Sequence, residues 1–235
     1  MGNEESVTLA DVEPLAGEWD LPDSQICSAA MRFVFEVSPE FLANHCVRSY
    51  LFAREIAAAQ GARSGAHYDD ELVFLACVLH DLGVTGVGEG DQRFEVDGAD
   101  AAADFLRRHD LSERRIATVW QAIALHTSVG LAHRFGPEQA VTFSGIALDI
   151  NGMDKHLLST GFAERVHAAW PRHDLGYAIA DAIVRDVRDN PMKAPPLSFP
   201  AHLHELITGS AITFFDLLDG SGWDDRPLRT GAVPR

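Results

Sequence analysis

Basic side chains are scarce in this sequence of 235 residues. Its 19 Lys and Arg stand against 35 Asp and Glu, a formal charge of −16. Lys155 and Lys193 are its only lysines. A field of that sign repels nucleic acid and anionic lipid headgroups, and no segment has the pattern of a basic recognition helix, so no nucleic-acid partner is expected. Cysteine is just as sparse. Cys27, Cys46 and Cys77 form no C-x-x-C and sit among apolar or small neighbours, the setting of buried thiols in a reducing compartment. No apolar run reaches the roughly 18–20 residues of a membrane span. The opening segment lacks the basic and apolar regions of a signal peptide. Gly2 and Ser6 match the N-myristoylation pattern M-G-x-x-x-[ST], but Glu4 and Glu5 give an anchor no basic support. A soluble, cytoplasmic protein with no membrane partner is the expectation. Alternating β patterns are almost absent, which excludes a sheet protein.

What remains reads as helix after helix. The acidic segment 1–23 is expected to be an arm or a surface strap, residues 24–220 one all-α domain, and 221–235 a C-terminal tail. Ser38 as N-cap and Pro39 in the first turn open a strong helix that runs to Gly61. Asp69 or Asp70 starts the next, whose centre, Leu72 to Leu79, is apolar nearly all round and therefore buried mid-domain. Further helices are expected at about 97–109, 112–128, 138–154, 160–168, 174–188 and 201–218. Hydroxyl N-caps are read at Ser112 and at Ser159 or Thr160.

The chemistry concentrates at His80-Asp81, where the apolar helix ends. In isolation such a doublet is a packed histidine beside a capping aspartate, and burying two ionisable groups is costly without partners. His45 lies on the preceding helix among Phe41, Leu42, Val47 and Leu51, and Asp149 lies within Ile146-Ala-Leu-Asp-Ile. His45, His80, Asp81 and Asp149 on three buried helices form a natural nitrogen and oxygen donor set for a metal ion. Adjacent helical residues diverge by about 100°, so an ion shared by the doublet must sit in the crevice between them.

The order His45…His80-Asp81…Asp149 resembles that of the HD-domain metal-dependent hydrolases. Within that superfamily the chain is most similar to the cyanamide hydratase branch. The similarity rests on Asn44-His45 with Arg48, Leu79-His-Asp-Leu-Gly-Val-Thr85, Arg93-Phe-Glu-Val-Asp-Gly-Ala99, His126 followed by Val129-Gly130, Asp149-Ile-Asn151 and Trp170-Pro-Arg-His173. It covers about residues 38–195. The resemblance implies a single HD-domain helical bundle with His45, His80, Asp81 and Asp149 as metal ligands. Two-metal relatives carry a further histidine just ahead of the Gly-Ala pair. Here Phe94 holds that place, which implies one divalent ion per chain, zinc first, with Fe2+, Mn2+ and Ni2+ as alternatives.

Asp81 or His126 is expected to move the protons, and Phe94, Glu95 and Thr127 to line the substrate pocket. Asn44, Arg48 and His173 are expected to support the ligands from behind. His109, His133, His156, His167, His202 and His204 are read as surface residues. The reaction implied is addition of water to a small neutral C≡N compound, cyanamide to urea or a related nitrile or isonitrile, by a hydro-lyase. The alternative is an HD phosphohydrolase acting on a nucleotide or other phosphate ester. Against it stands the lack of a Lys/Arg cluster, since Arg48 and Arg93 are the only cations near the motifs. A degenerate sensor or scaffold is a third reading, disfavoured by the intact ligand set. The partner expected is a small molecule, with homo-oligomerisation left open.

Overall fold

The central helix of the computed structural model, which describes residues 15–210 and 212–222, is α3 (Asp70–Leu79). Every residue from Leu72 to Leu79 is buried, as an unbroken apolar run requires. Asp69 caps it by accepting a hydrogen bond from Leu72 N at 3.2 Å. Around α3 pack α1 (Gln25–Val37), α2 (Glu40–Ala59), α5 (Glu113–Ala124) and α6 (Pro137–Asn151). Helix α4 (Phe94–Arg108) lies against α5 and the short 3-10 turn Leu82–Val84. The chain continues through α7 (Phe162–Ala169), α8 (Leu175–Asp189), α9 (Phe199–Thr208) and α10 (Phe214–Asp219). Among the described residues there is no strand, only an isolated bridge between Ser64 and Tyr68, so the fold is all-α. No helix among them is long and apolar enough to cross a membrane.

Two glycines set the approaches that matter for the site. A methyl group at Gly145 would run into the Ser49 carbonyl and Ala53, so glycine lets α6 cross α2 at close range. One turn further along α6 is Asp149, and one turn back along α2 is His45. A methyl group at Gly83 would likewise strike the Phe94 carbonyl, so glycine lets the start of α4 rest on the turn after His80-Asp81.

Several element boundaries differ from the sequence reading. Helix α1 was not expected; Ser24 caps it, and Cys27, Ala30, Met31 and Val34 form its buried stripe. Ser38 closes α1 rather than opening α2, whose N-cap is Pro39 without a side-chain bond. Helix α4 begins at Phe94, and α5 ends at Ala124, releasing His126 and Thr127 into a turn. Ser112 sits at the N-cap of α5 without a capping bond, and Gly161, not Ser159 or Thr160, precedes α7. The single helix expected over 201–218 is two, parted at Gly209 with φ of 72°. Residues 15–18 form a helical turn, and Leu15, Ala16 and Trp19 pack on the core. The Gly2 and Ser6 pattern, the rest of the arm and residues 223–235 of the tail lie outside the described residues.

Candidate metal centre

His80 is the C-cap of α3, and Asp81 leaves the helix with φ −100° and ψ 16°. That departure overcomes the 100° divergence of neighbouring helical residues and swings the carboxylate back beside the imidazole. Asp81 Oδ2 lies 3.0 Å from His80 Nε2 and 3.6 Å from His45 Nε2, and the two Nε2 atoms are 3.2 Å apart. All three residues are buried.

The far side of each ring decides which nitrogen faces inward. His45 Nδ1 is 2.7 Å from Asp149 Oδ2, and His80 Nδ1 is 2.7 Å from the Cys77 carbonyl. Each acceptor holds a proton on Nδ1, leaving the Nε2 lone pair aimed at the centre. His126 repeats the device, with Nδ1 2.6 Å from the Ile123 carbonyl and Nε2 3.8 Å from Asp81 Oδ1. Neither oxygen of Asp81 accepts a well-formed hydrogen bond. Imidazole lone pairs and a carboxylate without a well-formed hydrogen bond therefore converge among buried groups, which is costly unless a positive charge sits among them.

Electrostatics give the same answer. Burial drives His45 below its ordinary value despite Asp149, and drives His126 down to about 4. Burial opposes the charge on His80 too, yet Asp81 pulls it well above the usual histidine range. Burial would raise Asp81, but His80, then His45 and His126, hold it below the carboxylate range. These opposed shifts favour a positive charge among the clustered donors. The donors also fit an ion. Ligands about 2.0–2.2 Å from zinc at tetrahedral angles lie about 3.3–3.6 Å from each other, close to the three spacings found. Among the described residues, His45, His80 and Asp81 form the only group of such donors close enough to share one.

Residues 42–142 match the sequence model of the family described as HD domain. The match spans less than half of the chain, and that stretch is similar to an HD domain. No curated protein is significantly similar to the chain. The HD-domain family is one of metal-dependent hydrolases, phosphohydrolases among them, which supports a metal-dependent enzyme, and the described residues have the all-α fold expected. The match begins at Leu42, just ahead of His45, and stops at Thr142, short of Asp149.

Asp149, expected as the fourth ligand, does not join the three converging donors. Its carboxylate lies behind His45, against Nδ1, instead of beside Asp81. Arg48 donates to it through Nε at 3.0 Å and Nη2 at 2.9 Å, and Arg172 Nη1 through a 2.8 Å bond. Burial would raise Asp149, but His167, His45 and Arg48 keep it well below the usual range. Three of the four expected ligands thus converge, and Asp149 orients one of them. Arg48 Nη1 also donates to the Trp170 and Pro171 carbonyls. Asn44 reaches the Pro171 carbonyl and no ligand. His173 turns away towards Glu40, 3.3 Å from it, because His173 and Asp174 both have left-handed backbones with φ of 47° and 56°. Arg172, one residue earlier, makes the contact that His173 was expected to make. His167 is no plain surface residue either, since its Nε2 lies 3.8 Å from Asp149. The Trp170–His173 motif was the available signal for Arg172; nothing in the sequence singled out His167.

A cavity of about 350 Å³ opens onto the centre. His45, His80, Asp81, His126 and Thr127 form its polar floor, and Phe94, its ring 5.5 Å from that of His126, forms part of the wall. Glu95 does not reach it. Fully buried, it accepts from Arg93 and from Thr127 Oγ1, both at 2.5 Å. A larger cleft of about 800 Å³ runs between α8, α9 and α10, away from the metal donors.

Proposed function

We propose that this protein binds one divalent ion, zinc first, through His45, His80 and Asp81, and adds water to the C≡N group of a small neutral molecule. The observation that carries the reading is Asp81: a buried carboxylate without a hydrogen-bond partner, faced by two imidazole lone pairs, at the floor of a cavity that admits a molecule. An ion held there supplies Lewis-acid activation of water and substrate near neutral pH.

The chain's own groups handle the rest. His126, neutral and with Nε2 turned to the cavity, takes the proton that water loses as its oxygen bonds to carbon. That proton passes to the nitrogen as one C–N π bond opens, giving an imidic acid. The remaining hydroxyl proton then moves to the same nitrogen as the C=O bond forms and the second C–N π bond is lost, so a nitrile and water give an amide and nothing leaves. Thr127 and Phe94 bound the substrate, and the apolar walls keep other water out. Cyanamide to urea is the reference reaction.

The HD match favours a phosphohydrolase as second reading. Its difficulty lies in the cations. No Lys or Arg lines the cavity. Arg48 is committed to Asp149 and two carbonyls, Arg93 to Glu95 and Thr127, and Lys193 to Asp97, Asp186 and the Gly88 carbonyl. Offering cyanamide, benzonitrile and p-nitrophenyl phosphate to metal-loaded protein separates the readings. Turnover of a C≡N compound supports hydration, and turnover of the phosphate ester alone replaces it with the second reading.

A further inference from the structure

Above its polar floor, the metal cavity is walled by hydrocarbon. Phe143 and Ile146 come from α6, Ile179 and Ile183 from α8, and Phe199 and Leu203 from α9. The floor can bind and polarise one small functional group. The upper walls offer no charged side chain at all, in a protein whose formal charge is −16. A charged body placed there would be desolvated without compensation, whereas an apolar one is stabilised by about 25 cal/mol per Å² removed from water.

Size points the same way. At interior packing density, a cavity of about 350 Å³ takes a molecule of roughly ten to fifteen heavy atoms. A molecule of cyanamide's size would touch the floor and leave the walls facing a void. A phosphate ester would bring two negative charges to walls that have no cation. We infer that the substrate is an uncharged molecule with an apolar body, aromatic or branched aliphatic, carrying its reactive polar group at one end. That group meets His126 and the metal donors, and the body lies between α6, α8 and α9. The orientation at the floor rests on the function proposed above; the match between cavity and apolar body does not.

Helix α9 supplies an internal control. Leu203 faces the cavity, whereas Leu206, on the same helix, is 67% exposed and outside it. The test uses 2-naphthonitrile, followed by its fluorescence and by calorimetry, with protein as purified and after chelation. Saturable binding is expected in both forms. Leu203→Glu should weaken it at least tenfold, and Leu206→Glu should leave it within twofold. Ala180→Phe, which fills the cavity with carbon instead of charge, should also weaken it, and serves if Leu203→Glu does not fold. Millimolar cyanamide or inorganic phosphate should not displace the probe. Absence of saturable binding, equal effects of the Leu203 and Leu206 changes, or displacement by phosphate overturns the inference. Tight binding without turnover under any metal sinks the hydration reading and leaves the apolar-substrate inference standing. Turnover of cyanamide without naphthonitrile binding does the reverse.

Discussion

Asp149 and Asp81 grip opposite edges of the His45 ring: Asp149 Oδ2 is 2.7 Å from Nδ1, and Asp81 Oδ2 is 3.6 Å from Nε2. A carboxylate behind a ligating imidazole fixes its tautomer and strengthens the nitrogen in front. Asp149→Asn should therefore weaken metal binding by about 10–100-fold without abolishing it, since the three converging donors survive. Asp149→Ala should in addition cost about 3–5 kcal/mol, because Arg48 is left buried without its carboxylate. Metal titration and thermal unfolding of both variants check the pair. Loss of all metal from Asp149→Asn would instead make Asp149 a ligand.

The same carboxylate sets a pH dependence. Burial would raise its folded pKa, but the nearby His167, the hydrogen bond with His45 and the charge of Arg48 hold it below the ordinary aspartate value. A depressed carboxylate contributes stability that is complete above its unfolded pKa of about 3.9 and is lost as pH falls through the folded value. The melting temperature of the wild type should exceed that of Asp149→Asn by a constant margin at neutral pH, with the margin shrinking below about pH 4. Melting curves of both proteins from pH 3 to 7 show this; a margin that widens on acidification would contradict it.

His126→Gln should keep the metal and fold but lower turnover by roughly 10²–10⁴-fold, the range for loss of a general acid or base. Metal content, melting temperature and rate per folded molecule are measured on one preparation. A variant that loses its metal makes His126 a ligand, and one with full turnover makes it a wall residue.

Gly83→Ala should push the start of α4 off the turn behind the doublet. The cost should be about 1–3 kcal/mol, the range for overpacking, with Phe94 displaced from the cavity wall. Gly86, which has nothing within 4 Å of an added methyl group, is the control, and its change to Ala should move the melting temperature little. Equal effects at the two glycines would show that the contact at Gly83 does not matter.

Much of this arrangement was legible in the sequence because burial leaves a local signature. The run Leu72–Leu79 could only be a central helix, and two ionisable residues at its end required company. The side of the His45 ring that Asp149 occupies was not legible. Sequence puts Asp149 on a buried helix, but the closeness of the α2–α6 crossing at Gly145 decides which nitrogen it meets. Arg172 and His173 were inseparable for a related reason, since only the left-handed turn at 173–174 sends one inward and the other towards Glu40. The pattern of helix α1 is present in the sequence: Ser24 before the stripe Cys27, Ala30, Met31, Val34 is a capped amphipathic pattern.

The central claim is that His45, His80 and Asp81 form a metal site, and elemental analysis tests it most directly. Wild-type protein, purified without chelator and supplemented with zinc, should carry about one ion per chain after desalting. His80→Ala treated identically should carry almost none, while His109→Ala, altered at an exposed residue, should match the wild type. Wild-type protein without bound metal, or His80→Ala with a full complement of it, would contradict the account.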